Sequence, residues 1–181
     1  MATTGTTFTS SSTKVNVLAK LYYLGFISCA GLLGAAYYFE YFLYLDPCPL
    51  CVVQRLVTLV IGVCCLVAAL GQHRLGLQLT MMLLVTITAA FGVWVADHHV
   101  WIQNLPEDQV PACGPDLAYM METLPMNELI SRMLEGNGSC ADVSWSFLSL
   151  SMPEWMRVWF TVFTLVGVAC FYRIANHLRT K

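Results

Sequence analysis

The chain has 181 residues, 57% hydrophobic and only 11% charged, against roughly 25% charged in an average soluble domain. That balance excludes an ordinary soluble globular domain and belongs to a membrane protein. The formal net charge of −2 says little by itself; the placement of the signs along the chain carries the topology.

Four apolar runs follow one another. Leu21 to Phe39 is uncharged and continues past Glu40 to Leu45, Val52 to Leu70 holds only Arg55, Leu75 to Ala96 is uncharged, and Trp155 to Tyr172 holds only Arg157. A bilayer core of about 30 Å takes about 20 helical residues. The predicted architecture is therefore all-α: a four-transmembrane-helix bundle with spans at about 21–45, 52–70, 75–96 and 155–172. Residues 1–20 form a cytoplasmic tail ahead of the 21–181 membrane domain, and 97–154 form a long periplasmic loop expected to carry a short membrane-surface helix. Lys14 and Lys20 precede the first span, Arg74 separates the second and third, and Arg173, Arg179 and Lys181 follow the fourth, whereas the acidic residues fall on the other side or at its edge. The positive-inside rule then puts both termini in the cytoplasm. Cys48, Cys51, Cys113 and Cys140 face outward, where thiols can be held oxidised. The first run lacks a small-residue cleavage site and is longer than a typical signal-peptide core, so it reads as a span.

In chain order, residues 1–13 are rich in Thr and Ser with no apolar period and read as disordered. Small residues in the first span, Gly25 to Ala36, allow close helix approach. Tyr37, Tyr38, Tyr41 and Tyr44 crowd its outer end as an interfacial belt, and Glu40 among them is near enough to the surface to be hydrated. Asp46-Pro47 breaks the helix.

Cys48-Pro49-Leu50-Cys51 then opens the second span. Cys51 lies near a helix N-terminus, where the macrodipole favours a thiolate, and Arg55 is one turn on, on the same face. A bare staple would constrain the unfolded chain by only about 2 kcal/mol across so short a loop, against roughly 3 to 4 kcal/mol for a Cys113 to Cys140 loop, so reactivity explains the tight pair better. The bland alternative for Arg55 is an arginine snorkelling to the interface. Cys29, Cys64, Cys65 and Cys170 have no activating neighbours and read as apolar packing residues. Gly71-Gln72-His73-Arg74 is a tight turn that makes spans two and three antiparallel neighbours. Asp97-His98-His99 follows the third span.

In the outer loop, Pro106, Pro111 and Pro115 bracket Cys113, so Val110 to Cys113 should be extended and accessible to a partner's groove. Leu124 to Leu134 is predicted as a short helix ended by Gly136-Asn137-Gly138. From Trp145 to Trp155 large apolar residues alternate with serines, as in an amphipathic piece lying on the membrane surface. A zinc site would want a second short-spaced ligand pair beside Cys48 and Cys51; no other cysteine stands beside Cys113 or Cys140, and although His98 and His99 could substitute as ligands, no metal is expected. Two exchanging disulfides are the stronger reading, and four outward cysteines allow three pairings.

These motifs resemble the quinone-dependent thiol oxidases called the disulfide bond formation protein B (DsbB) family. Cys48-Pro49-Leu50-Cys51 with Arg55 looks like its helix-capping redox motif, and His99-Val100-Trp101-Ile102-Gln103 with Pro106 looks like the end of its third span. Pro111-Ala112-Cys113-Gly114-Pro115 looks like its partner-facing loop, and Cys140-Ala141 with Trp145, Phe147-Leu148, Met152-Pro153 and Trp155 looks like the stretch before its last span. Ser149 stands where relatives often have glycine, and Arg157 where an apolar residue is usual.

The resemblance implies a disulfide oxidase of the bacterial inner membrane whose catalytic residues are Cys48, Cys51, Cys113 and Cys140. A periplasmic DsbA-like thiol oxidase would attack Cys113, Cys140 would pass the reducing equivalents to Cys48, and Cys51 would face ubiquinone or menaquinone. Arg55 and His99 would hold the quinone with Cys51, and no nucleic-acid partner is implied. A vitamin K epoxide reductase-like enzyme would place its quinone-facing pair late in the chain, and a tetraspanin-like stapled scaffold would keep its disulfides oxidised.

Overall fold

The computed structural model describes residues 8–71, 74–106, 108–112 and 117–179. Helix α1 spans Phe8–Leu43, α2 Pro49–Leu70, α3 Leu75–Gln103, α4 Leu117–Thr123, α5 Met126–Glu135 and α6 Met152–Arg179. A single 3-10 turn, Gly138–Cys140, and a small hairpin of β1 (Ser146–Phe147) and β2 (Leu150–Ser151) complete the loop between α3 and α6. Four of the helices are long and apolar enough to cross a membrane: Ala19–Leu43 within α1, Pro49–Leu70, Gly76–Gln103 and Met152–Arg173. The chain is thus a four-helix membrane bundle.

Helix α2 packs between α1 and α3, and α3 packs along α6. Helices α3 and α6 approach closely at Gly92, where an added Cβ would lie 2.8 Å from the Phe160 ring, and small residues at such contacts are what let membrane helices come together. Cys29, Cys64, Cys65 and Cys170 are all buried in this apolar core beside Tyr22 and Phe160. They serve as small hydrophobes.

The elements depart from the sequence reading in several places; α2 and α6 both begin about one turn early, at Pro49 and Met152. Residues 8–13 are helical rather than a disordered tail; adding turns to a nucleated helix costs little even for Ser and Thr. Residues 1–7, like Gln72, His73 and Cys113, lie outside the described residues. Helix α1 stops at Leu43, where Tyr44 takes the left-handed φ of 52° and the Leu45 N–H donates to the Phe39 carbonyl at 3.2 Å, so the helix closes through a left-handed residue that is not glycine. Helix α3 runs past Ala96 to Gln103, because nothing between Asp97 and Gln103 breaks a helix. His98 and His99 therefore stand on its last turns. Within the Trp145–Trp155 stretch, Ser146–Ser151 is a hairpin rather than a surface helix, and Met152 to Trp155 already belong to α6. Its apolar residues alternate with period two, and Leu148 and Ser149 both have positive φ, 52° and 64°, as a two-residue hairpin turn demands. That is the position where glycine is usual.

Two short helices occupy the loop: α4, which the sequence reading did not anticipate, and α5 at the predicted place. The end of α5 folds back onto the bundle through Gly136, whose φ of 73° and ψ of 174° form a combination open essentially to glycine alone. A Cβ there would lie 2.9 Å from Ile102 Cδ1 and 3.0 Å from Leu50 Cδ1. Gly136→Ala is expected to weaken this docking by about 1–3 kcal/mol. Alkylation of the fully buried Cys140 should then speed up roughly tenfold or more, while total helix content measured by circular dichroism stays constant.

Candidate functional site

Asp46-Pro47 keeps the chain extended ahead of α2, and Cys48 takes the N-cap with φ −68° and ψ 162°. Pro49 follows in the first turn, where its missing N–H costs nothing. The Cys48 sulfur accepts a hydrogen bond from the Cys51 N–H at 3.3 Å, satisfying one of the unpaired donors of the helix start. The Cys48 thiol in turn donates to the Cys51 sulfur at 2.9 Å. The two sulfurs are close enough to join with little backbone movement.

The third sulfur arrives from the outer loop. Packing of Leu50, Val95 and Ile102 against Leu134 and Ala141 buries Cys140 completely and sets it in the same packed cluster as Cys48, where each thiol influences the other's ionisation. Cys51, Cys48 and Cys140 therefore stand in series, all three as free thiols. Hydrogen bonding to Cys140 and Cys51, together with burial, pushes the Cys48 thiol pKa upward. The Cys140 thiol moves the other way, down to about 7, chiefly through its interaction with Cys48, with backbone N–H groups of Asn137 and Leu50 helping against burial. The loop thiol thus stands near the midpoint of its ionisation at neutral pH.

His99, 2% exposed on the last turns of α3, points Nε2 at the Cys48 sulfur, 3.6 Å away. The Gln54 side-chain N–H donates to Nδ1 at 3.3 Å. Arg55 does not stand free beside Cys51. Its Nη1 is paired with Glu40, Nη2 donates to the Ala36 carbonyl at 3.3 Å, and the guanidinium sits 5.4 Å over the Tyr37 ring. With five N–H donors on a guanidinium, these contacts anchor the cation and leave further donors for a ligand.

A cavity of about 110 Å³ lies in front of these groups, lined by Ala36 and Phe39 of α1, Cys51 and Arg55 of α2, His99 of α3 and Met156 of α6. Trp145 of the hairpin also lines it, with its ring 5.0 Å from that of Phe39. The hairpin is fixed to α3 by the Ser151 hydroxyl, which donates to Gln103 Oε1 at 2.9 Å. Apolar walls, two sulfurs, an imidazole and a cation suit a flat, redox-active ring carrying oxygen acceptors.

Of the residues singled out from sequence, Cys48, Cys51, Cys140, Arg55 and His99 converge here. Cys113 lies outside the described residues. Two further groups were given no role in the sequence reading: Gln54, 4% exposed and bonded to His99, and Glu40, the partner of Arg55. The signal for Glu40 was available, since it and Arg55 are the lone charged residues inside two adjacent predicted spans. Gln54 carried no such mark.

The family model described as "Disulfide bond formation protein DsbB" matches residues 19–170. The chain is 42% identical over 153 residues to disulfide bond formation protein B of Hahella chejuensis, covering 84% of this chain and 93% of the relative. Against disulfide bond formation protein B 1 of Pseudomonas aeruginosa (strain PAO1) it is 40% identical over 156 residues, 86% of this chain and 96% of the relative. The Marinobacter nauticus relative is 43% identical over 151 residues, covering 83% and 89% respectively.

Because its thiol is depressed to about 7, Cys140 should exchange with small disulfides at a rate that climbs as pH rises through that value and levels off above it. Cys48→Ala removes the main interaction and is expected to move the midpoint up toward the ordinary thiol range of about 8.5. Peptide mass analysis of timed modification across pH measures both midpoints; an unmoved midpoint would contradict the role given to Cys48.

Proposed function

This chain belongs to the disulfide bond formation protein B family, and we propose that it reoxidises a soluble periplasmic thiol oxidase and delivers the electrons to a membrane quinone. The observation that carries the reading is the series Cys140, Cys48, Cys51 leading from the buried loop to the cavity. Such a series suits stepwise thiol–disulfide exchange, in which a thiolate attacks one sulfur of a disulfide and the other leaves.

The steps run as follows. The reduced partner's thiolate attacks Cys113 of a Cys113–Cys140 disulfide, forming a mixed disulfide and releasing Cys140 as thiolate. The partner's second thiol resolves the mixed disulfide, so the partner leaves oxidised and Cys113 becomes a thiol. Cys140 attacks Cys48 of the Cys48–Cys51 disulfide, forming a Cys140–Cys48 disulfide while Cys51 leaves as thiolate toward the cavity. The Cys113 thiolate then attacks Cys140, restoring the Cys113–Cys140 disulfide and releasing Cys48, so that Cys48 and Cys51 together hold the two electrons. The low Cys140 pKa favours its departure from Cys113 and keeps a large share of it ionised for its attack on Cys48. A bound quinone supplies the acceptor for two electrons and two protons.

Arg55 would donate hydrogen bonds toward a quinone oxygen as negative charge builds there, a task for which a fixed, desolvated cation is suited. Glu40 and Tyr37 hold that cation in place. His99 would lie on the same side of the ring and, held by Gln54, offer its Nε2 proton. A partner that is itself a strong disulfide oxidant needs a stronger acceptor still, and a lipid-soluble quinone, ubiquinone or menaquinone, reaches a cavity walled by α1 and α6. Cytoplasmic termini and a periplasmic thiol end, as expected for an inner-membrane enzyme, agree with the basic residues clustering at the opposite end of the bundle. Nothing in the fold favours the stapled scaffold or the vitamin K epoxide reductase-like arrangement.

Purified protein given a reduced DsbA-like partner and ubiquinone should consume the quinone, and Cys51→Ser should abolish consumption; unchanged turnover would sink the mechanism. Arg55→Ala is expected to raise the quinone KM roughly ten- to hundredfold, the loss of a charge-assisted hydrogen bond. Single-turnover thiol exchange with the partner should stay near the wild-type rate.

A further inference from the structure

The side chains at the head of α2 also make a pattern that electron transfer does not require. Cys48 Sγ, Cys51 Sγ and a ring nitrogen of His99 all lie within 4.8 Å of one another. They come from two helices, so no short-spaced sequence motif announces them. We propose that the reduced site binds a thiophilic divalent cation, zinc foremost, through these three atoms, and that zinc and the Cys48–Cys51 disulfide exclude each other.

The ligand set is a familiar one for zinc, two thiolates and an imidazole with a fourth position open. Bond lengths of about 2.3 Å to sulfur and about 2.0–2.1 Å to nitrogen put tetrahedral sulfur and nitrogen ligands roughly 3.5 Å apart. The Cys48 Sγ to His99 Nε2 distance is 3.6 Å. The Cys48 and Cys51 sulfurs, at 2.9 Å, must separate by somewhat under about 1 Å to reach zinc spacing. Cys51 is only partly buried and faces the cavity, so its side chain has room to turn.

Nε2 binds a metal only when the ring proton sits on Nδ1. Gln54 provides for this: a half-turn of its amide presents Oε1 instead of Nε2 to Nδ1, and the contact of 3.3 Å becomes N–H to oxygen. A second-layer acceptor of this kind fixes the tautomer of a metal-bound histidine. Cys140, in the same packed cluster as Cys48, is the nearest further sulfur for the open position.

Binding is a ligand exchange without electron transfer. Two S–H bonds break, two zinc–sulfur bonds form, and two protons go to solvent. Oxidation of the same sulfurs to a disulfide removes both thiolates, so the oxidised chain loses the site. The geometry of the site carries this proposal independently of the quinone reading, and its test uses no quinone.

The test takes the full-length chain, reduced and purified in detergent without oxygen, and titrates it with zinc chloride in competition with a chromophoric chelator. The expected result is one tightly held zinc per reduced chain and loss of that zinc when the Cys48–Cys51 disulfide is formed. Cys48→Ser and His99→Ala should each abolish the tight site, Gln54→Ala should weaken it about tenfold, and Cys29→Ser should leave it intact. Cobalt(II) in place of zinc should give the thiolate-to-cobalt absorption and intense visible bands of a tetrahedral site, which a merely misfolded variant would not selectively lose. No tight zinc in the reduced chain, or tight zinc that survives both Cys48→Ser and His99→Ala, would overturn the proposal.

Discussion

The arrangement of the site depends on one contact, the seating of the outer loop on the first turn of α2. Leu50 is fully buried because the loop covers it, and truncating a buried leucine costs about 2–5 kcal/mol. Gly136 lets the chain turn close enough for that cover, and the 3-10 turn at Gly138–Cys140 then aims a sulfur at Cys48. Without this seating, Cys140 would be a loop thiol among loop thiols. With it, three sulfurs share protons and the outermost becomes acidic.

A second constraint works at the side of the bundle. An unpaired arginine at this depth would be costly in an apolar surround, and the Glu40 pair, the Ala36 carbonyl and the Tyr37 ring meet that cost together. Removing one partner of a half-buried pair harms more than the pair's net contribution suggests, because the other charge is stranded. The cation at the cavity is therefore as much a product of α1 as of α2. By contrast, Arg157 and Asp97, 3.3 Å apart and largely exposed, contribute little.

How much of this could be read from the chain follows from the range of each interaction. Spans one to four are visible because a bilayer demands long apolar runs, and the Cys48–Cys51 cap is visible because a helix start is a local event. The end of α3 was placed too early, since polarity at Asp97 marks the edge of an apolar run and not the end of a helix. The hairpin at Ser146–Ser151 was legible as alternation, but the turn's left-handed Ser149 was noticed only as a departure from glycine. What no local pattern gave was partnership across elements. Glu40 with Arg55, Gln54 with His99, and Cys48 with Cys140 are each separated by many residues and joined only by packing.

The account stands on Cys140 meeting Cys48, and one measurement reaches that claim directly. In the double variant Cys51→Ser, Cys113→Ser, mild oxidation should join the two remaining outer cysteines in a single disulfide, identified as one linked peptide pair by mass spectrometry. Gly136→Ala in the same background should slow its formation. If Cys48 and Cys140 instead stay separately alkylatable after oxidation, the loop does not seat as described, and the relay built on it fails.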